Sequence, residues 1–123
     1  MEKESVSEEE IRAMEEYLRG YGHNRKLLRL DRDERTYFGW RPTEEDLPGE
    51  PPLARARMYE IRHFIMGLPN TDEKLLLYYH YVRGESVEKC AELLGISRSS
   101  GFRMKKRALC RAAAARRAQL EVV

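Results

Sequence analysis

Apolar residues in this chain recur three and four positions apart, and nowhere does a β-branched run of four to eight residues alternate apolar with polar. The first spacing aligns side chains along one face of a helix, whereas a half-buried strand needs period two. An all-α fold is therefore expected. Ile11, Met14, Leu18 and Tyr21 form one such stripe, and Met58, Ile61, Ile65 and Leu68 form another. Leu75, Leu76, Tyr79 and Val82 supply a third.

Punctuation falls between the stripes. Ser7-Glu8-Glu9-Glu10 is a capping box, in which the serine oxygen takes an orphan amide and Glu10 reaches back. The acids also suit the positive end of the helix dipole. Gly20 and Gly22 predict the end of this helix. A second helix is predicted over residues 24–35, with Leu27, Leu28 and Leu30 on its apolar side. Together they predict an αα-hairpin over residues 7–36. Four of the five prolines follow, at Pro42, Pro48, Pro51 and Pro52. Proline removes a backbone donor and disfavours helix at the preceding residue. Residues 39–52 therefore read as a Pro-rich linker. Tyr37, Phe38 and Trp40 at its front read as local packing or as an anchor onto a helix. Further helices are predicted over 53–66, ended by Gly67 and Pro69, and over 71–82, closed by Gly84.

A length of 123 residues suits one domain, or a small domain with an appendage. The uncharged apolar stretch 75–82 is far short of the ~20 residues that span a bilayer, and the mean hydropathy is −0.72. No membrane association is expected. The N-terminal MEKESVSEEE holds no apolar signal segment, and Cys90 and Cys110 cannot frame a disulfide scaffold. Reduced thiols in a cytoplasm are the expectation. Charge is unevenly spread. Residues 1–19 carry seven acids against three bases, while residues 97–123 carry eight bases against one acid. Such asymmetry points to a nucleic-acid surface near the C-terminus. A basic helix that is merely a solvated face is the plain alternative.

Residues 86–107, SVEKCAELLGISRSSGFRMKKR, carry the most information. Ser86 is the expected N-cap of a short helix whose Cys90, Ala91 and Leu94 face inward. Ala91 is small where a second helix must cross closely. Gly95 offers the positive φ of a tight turn, and Ile96 is placed to plug the corner. Ser97 or Arg98 starts the next helix, with Met104 and Ala108 facing inward. This is the spacing of a helix-turn-helix. On the outer face of its second helix Arg98, Phe102 and Lys106 recur every four residues, flanked by Ser99 and Arg103. No acid occurs between Arg98 and Gln119. Arginine and lysine take guanine edges or phosphate, serine takes either, and Phe102 suits a thymine methyl or packs back on the domain.

The stretch LPNTDEKLLLYYHYVRGESVEKCAELLGISRSSGFRMKKRAL resembles region 4 of sigma-70-type factors. The resemblance rests on Leu68-Pro69, Tyr81-Val82, Gly84, Ser86, Glu88, Ala91, Glu92, Leu94, Gly95, Ile96 and Ser97, and covers residues 53–111. The ISRSS.FR.KKRAL stretch and the N-terminal helical extension are similar to phage late-transcription regulators of the ArpU/RinA type. The resemblance implies a cytoplasmic, bacterial or prophage-encoded transcription regulator whose helix from Arg98 enters the major groove. Regions 2 and 3 of a sigma factor have no counterpart, so promoter melting by that family's route is not expected. Two positions depart from the pattern. Lys89 replaces a capping-box glutamate, and Gly101 replaces a bulky core residue. As an ordinary helical residue facing the core, Gly101 would gain stability on change to alanine. As a point of close approach, it would lose stability. The first outcome is the expectation.

No catalytic constellation is visible, and no enzyme activity is expected. His23, His63 and His80 lack partners at metal-ligand spacing, and no phosphate-cradling glycine loop occurs. Cys90 reads as a small buried hydrophobe. No cofactor or metal is expected. The expectation is thus an all-α protein with an N-terminal helical hairpin (1–38), a Pro-rich linker (39–52) and a C-terminal sigma-region-4-like helix-turn-helix domain (53–123). Its expected function is sequence-specific binding of double-stranded DNA to regulate transcription. Ser97, Arg98, Ser99, Phe102, Arg103 and Lys106 are the base-reading candidates, and Lys105, Arg107 and Arg111 the phosphate contacts. A homodimer held by residues 7–36 is expected, because the hairpin cannot bury its stripe without a partner surface, and docking on the chain's own C-terminal domain is the plain alternative. The alternatives are a small terminase-like DNA-packaging subunit, or a module that binds RNA polymerase without its own promoter recognition.

Overall fold

Ser7 opens the first helix as the capping box requires. Its Oγ accepts the Glu10 amide at 3.1 Å, and the Glu10 carboxylate accepts the Ser7 amide at 3.0 Å. A computed structural model describes residues 6–38 and 50–121, and these form α-helices and one π-helical turn, with no strand among them.

The hairpin expected over residues 7–36 is instead one helix, α1 (Glu8–Phe38). Its 31 residues span about 46 Å at 1.5 Å per residue. Gly20 and Gly22 lie inside it. A mid-helix glycine costs up to about 1 kcal/mol, and burial outweighs that cost here. Met14, Leu18 and Tyr21 are buried, and Asn24 extends their stripe without a break. Asn24 Nδ2 donates to the Gly20 carbonyl at 2.7 Å. Gly20 also lets α2 approach, since Ile61 Cδ1 lies 3.4 Å from where a Cβ would stand.

Helix α2 (Glu50–Met66) starts earlier than expected, with Pro51 and Pro52 in its first turn. The amide that proline lacks has no helical acceptor there. The linker expected over 39–52 thus loses its last three residues to α2. Its remainder, with Trp40, Pro42 and Pro48, lies outside the described residues, as do the side chains of Tyr37 and Phe38. Gly67 ends α2, and Leu68 turns into the core.

Asn70 caps α3 (Thr71–Leu77), its side chain accepting the Glu73 amide at 3.0 Å. The helix then widens into a π turn over Tyr78–Val82. That extra residue changes which side chains face inward. Leu76, Leu77, Tyr81 and Val82 are buried, so the core face advances by five positions rather than four. Leu75 and Tyr79, expected on the core stripe, are pushed to its edge. Gly84, at φ +76°, reverses the chain. Two helices complete the fold, α4 (Val87–Leu94) and α5 (Arg98–Glu121).

All five helices contribute to one apolar cluster. Leu18, Ile65, Leu76, Leu77 and Cys90 are its largest fully buried side chains, and Ala108, Leu109 and Ala112 of α5 close it. Residues 7–36 therefore share a core with the rest of the chain. The stripe Met14, Leu18, Tyr21, which motivated a dimer, is covered by the chain's own α2 and α5. No helix among the described residues is long and apolar enough to cross a membrane.

Candidate nucleic-acid interface

The junction of α4 and α5 is built by local hydrogen bonding. Ser86 caps α4, its Oγ accepting the Lys89 amide at 3.0 Å. Helix α4 ends at Gly95, at φ 74° and ψ 29°. The Ile96 amide reaches back to the Ala91 carbonyl at 2.9 Å, and the Gly95 amide to Glu92 at 3.1 Å. This paired closure is the Schellman arrangement, which needs the left-handed residue that glycine supplies. Ser97 then caps α5, accepting the Ser100 amide at 3.1 Å.

The two helices cross at their smallest residues. A Cβ on Gly101 would stand 2.9 Å from Ala91 Cβ and 3.6 Å from the Val87 carbonyl oxygen. Gly101 is therefore a point of close approach and not an ordinary helical residue. The stability gain expected for Gly101→Ala is corrected to a loss. Met104 and Ala108 face inward, as the sequence spacing implies. Cys90 is wholly buried, and burial pushes its thiol pKa up.

Along α5 the cations are sorted by direction. Lys105 turns inward, its side chain only 20% exposed, and its ammonium lies 3.0 Å from Glu15 on α1. Arg116 lies over the Tyr17 ring at 3.8 Å and 3.7 Å from Glu60. Arg117 pairs with Glu10 at 3.2 Å. These three bind α5 to α1 and α2. On the other side Arg103, Lys106, Arg107 and Arg111 are exposed. They line a shallow groove of 560 Å³ with Cys110 and Ala114. Arg111 reaches the buried carboxylate of Glu73 at 3.5 Å while staying 60% exposed.

At the head of α5, Ser97, Arg98, Ser99 and Phe102 are exposed. Arg98 donates to Glu88 on α4 at 3.1 Å and lies 5.2 Å from the Phe102 ring centroid. Arg103 donates to Ser100 Oγ at 3.1 Å. Two positioning residues thus escaped the sequence reading, Glu88 and Ser100. Ser100 was visible as the third serine of the SRSS run, three residues before Arg103. The pairing of Glu88 with Arg98 depends on the α4–α5 crossing, which local spacing does not give.

Of the nine residues singled out from sequence, eight are exposed between the turn and the middle of α5, a strip that winds around its outer side, and Lys105 is instead turned to Glu15. The strip offers guanidinium and ammonium donors, a hydroxyl pair and one aromatic edge, with no acid on α5 before Glu121. Besides Arg111–Glu73, whose carboxylate is buried, its cross-helix ion pair among the described residues is Arg98–Glu88, and that pair is exposed. Such pairs contribute about 0–1 kcal/mol, so a phosphate or base edge can replace the carboxylate at little cost. Among the described residues no cluster of three or more His, Cys, Asp or Glu is arranged to hold a metal ion. Comparison with protein-family models, curated proteins and solved structures finds no match for this chain.

Proposed function

We propose that this chain binds double-stranded DNA in a sequence-specific way and regulates transcription. In this reading α4 and α5 act as a helix-turn-helix, and the first turns of α5 enter the major groove. Arg98, Ser99, Phe102, Arg103 and Lys106 meet base edges, where arginine and lysine select guanine and an apolar contact selects the thymine methyl. Arg107 and Arg111 neutralise phosphates farther along the helix. Ser97 stands at the α5 N-terminus, where free amides and the helix dipole favour a phosphate. Lys105 leaves the set, because its charge is spent on Glu15.

One observation carries the reading. Lys105, Arg116 and Arg117 are held by acidic or aromatic partners on α1 and α2, while Arg103, Lys106 and Arg107 are exposed with no acidic partner among the described residues, and Arg98 and Arg111 stay 70% and 60% exposed in their pairs. Structural need explains the first group and not the second. The role in transcription, and a bacterial or phage cytoplasm as its setting, rest on the resemblance to sigma region 4 and to phage late-transcription regulators. The experiment is a random-site duplex selection with the protein alone, followed by a gel shift on the enriched sequence. An enriched site bound at least about a thousandfold more tightly than random duplex supports the reading. Failure to enrich any sequence overturns it.

A further inference from the structure

A second surface lies away from the α5 strip. On α2, Tyr59, Arg62, His63 and Met66 form a solvent-facing stripe at helical spacing. Across from it, Lys74, Leu75, Tyr78 and Tyr79 line the wall formed by α3 and the π turn. Between them runs an open groove of 420 Å³. Tyr59 is 61% exposed and Met66 52%, among the largest exposed apolar side chains of the described residues. Adjacent large apolar groups left in water mark interaction sites more often than chance exposure does.

The groove is already shaped. Tyr59 and His63 stack in parallel, 9° apart in plane with centroids at 5.7 Å. Arg83 lies 5.8 Å from the Tyr79 ring centroid. The π turn sends Tyr81 and Val82 into the core, which leaves Tyr78 and Tyr79 half-buried at the groove wall. Its charge has one sign. Arg62 and Lys74 border it, no carboxylate lines it, and no ion pair among the described residues holds either of the two.

We infer that this groove docks an acidic amphipathic helix of a partner protein. Apolar side chains at i, i+4 and i+7 of the partner would enter between Tyr59, Met66, Leu75 and Tyr79, the helix-in-groove mode. Carboxylates flanking that stripe would meet Arg62 and Lys74. A nucleic-acid strand fits less well. Met66 and Leu75 give it no stacking surface, and the stacked faces of Tyr59 and His63 are turned to each other. The inference does not rest on DNA binding, because none of these residues belongs to the α5 strip.

The test uses the full chain and a labelled 16-residue helical peptide with leucines at i, i+4, i+7 and i+11 and glutamates on its remaining faces. Its controls are the same peptide with lysines for glutamates and a scrambled acidic peptide. Fluorescence anisotropy should show 1:1 binding of the acidic helix alone, weakened by added salt. Arg62→Glu and Lys74→Glu should each weaken it at least about tenfold, and Tyr59→Ala by a similar factor. Tyr59 and Arg62 are exposed and Lys74 is half-buried, and thermal melting checks that each variant keeps its fold. Equal binding of the lysine peptide, or acidic-peptide binding unmoved by the three variants, overturns the inference. So does a single-stranded oligonucleotide that binds in place of the peptide and is lost in Arg62→Glu. A dimer in light scattering that Arg62→Glu dissolves would assign the groove to a second copy and overturn it equally.

Discussion

A methyl group at position 101 would stand 2.9 Å from the Ala91 Cβ, and neither atom sits on a flexible side chain that could move aside. Replacing Gly101 with alanine therefore forces α4 and α5 apart. Overpacking of this kind costs about 1–3 kcal/mol, against a helix-propensity gain of up to about 1 kcal/mol. Gly101→Ala is expected to lower the midpoint of chemical denaturation, and Ala91→Gly in the same chain to restore part of the loss. Unchanged stability of Gly101→Ala would show that the crossing yields easily. Gly22 is the contrast, because nothing lies within 4 Å of a Cβ built there. Gly22→Ala is expected to stabilise the protein by about 0.4–1 kcal/mol, chiefly by restricting the unfolded chain. The two glycines look alike in the sequence. Only the packing around each decides the sign.

At the scale of the element, α1 is held to the rest of the chain by a carboxylate that serves three partners. Glu15 accepts from the Tyr81 hydroxyl at 2.6 Å and pairs with Lys105 at 3.0 Å and Arg19 at 3.2 Å. Partial burial pushes its pKa up, but the Tyr81 and Lys105 bonds outweigh that and hold it below the ordinary 4.5. The folded value is depressed, so the stabilisation is present above the unfolded pKa and is lost as pH falls through the folded one. Unfolding followed from pH 6 down to pH 2 is expected to show a loss of stability below about 4.5, and Glu15→Gln to flatten that part of the curve. An identical profile for the variant would remove Glu15 from the account. The capping box at Ser7, the Gly95 turn and the inward faces of α2 and α4 were legible in the sequence, because caps, left-handed turns and regular stripes are local features. The continuity of α1 was not. Gly20 and Gly22 signal a stop, and only the burial of Tyr21 and Asn24 against α2 overrides them. The π turn at 78–82 was hidden as well, since a five-residue step between core positions contradicts the helical spacing used to find it. At the candidate interface the residue types were legible but their directions were not. Lys105 and Lys106 are neighbours in a basic run, yet one pairs with Glu15 and the other faces solvent.

Across the whole molecule, α1 is part of the core and not an appendage. Met14, Leu18 and Tyr21 pack in one cluster with Ile61, Ile65, Tyr81 and Ala112. A chain that lacks residues 1–38 would expose these partners to water, at about 25 cal/mol for each Å² of apolar surface. It is expected to lose cooperative thermal unfolding, and a sharp melt from residues 50–123 alone would contradict the single-core architecture. The same docking of α1 sorts the cations of α5 into those that hold the fold and those left for a ligand. The central claim is that this second set binds duplex DNA, and the most direct test is the salt dependence of affinity for the selected duplex. Arg107→Ala and Arg111→Ala are each expected to reduce the slope of log K against log salt by about 0.9, and Arg103→Ala to cost about 1–3 kcal/mol on the selected site through a lost base contact. Lys105→Gln, which removes the charge that faces Glu15, is expected to leave both quantities unchanged. If Lys105→Gln flattened the slope as much as Arg107→Ala, or if the three outer-face substitutions left affinity and slope intact, the assignment of the α5 strip to DNA would be contradicted.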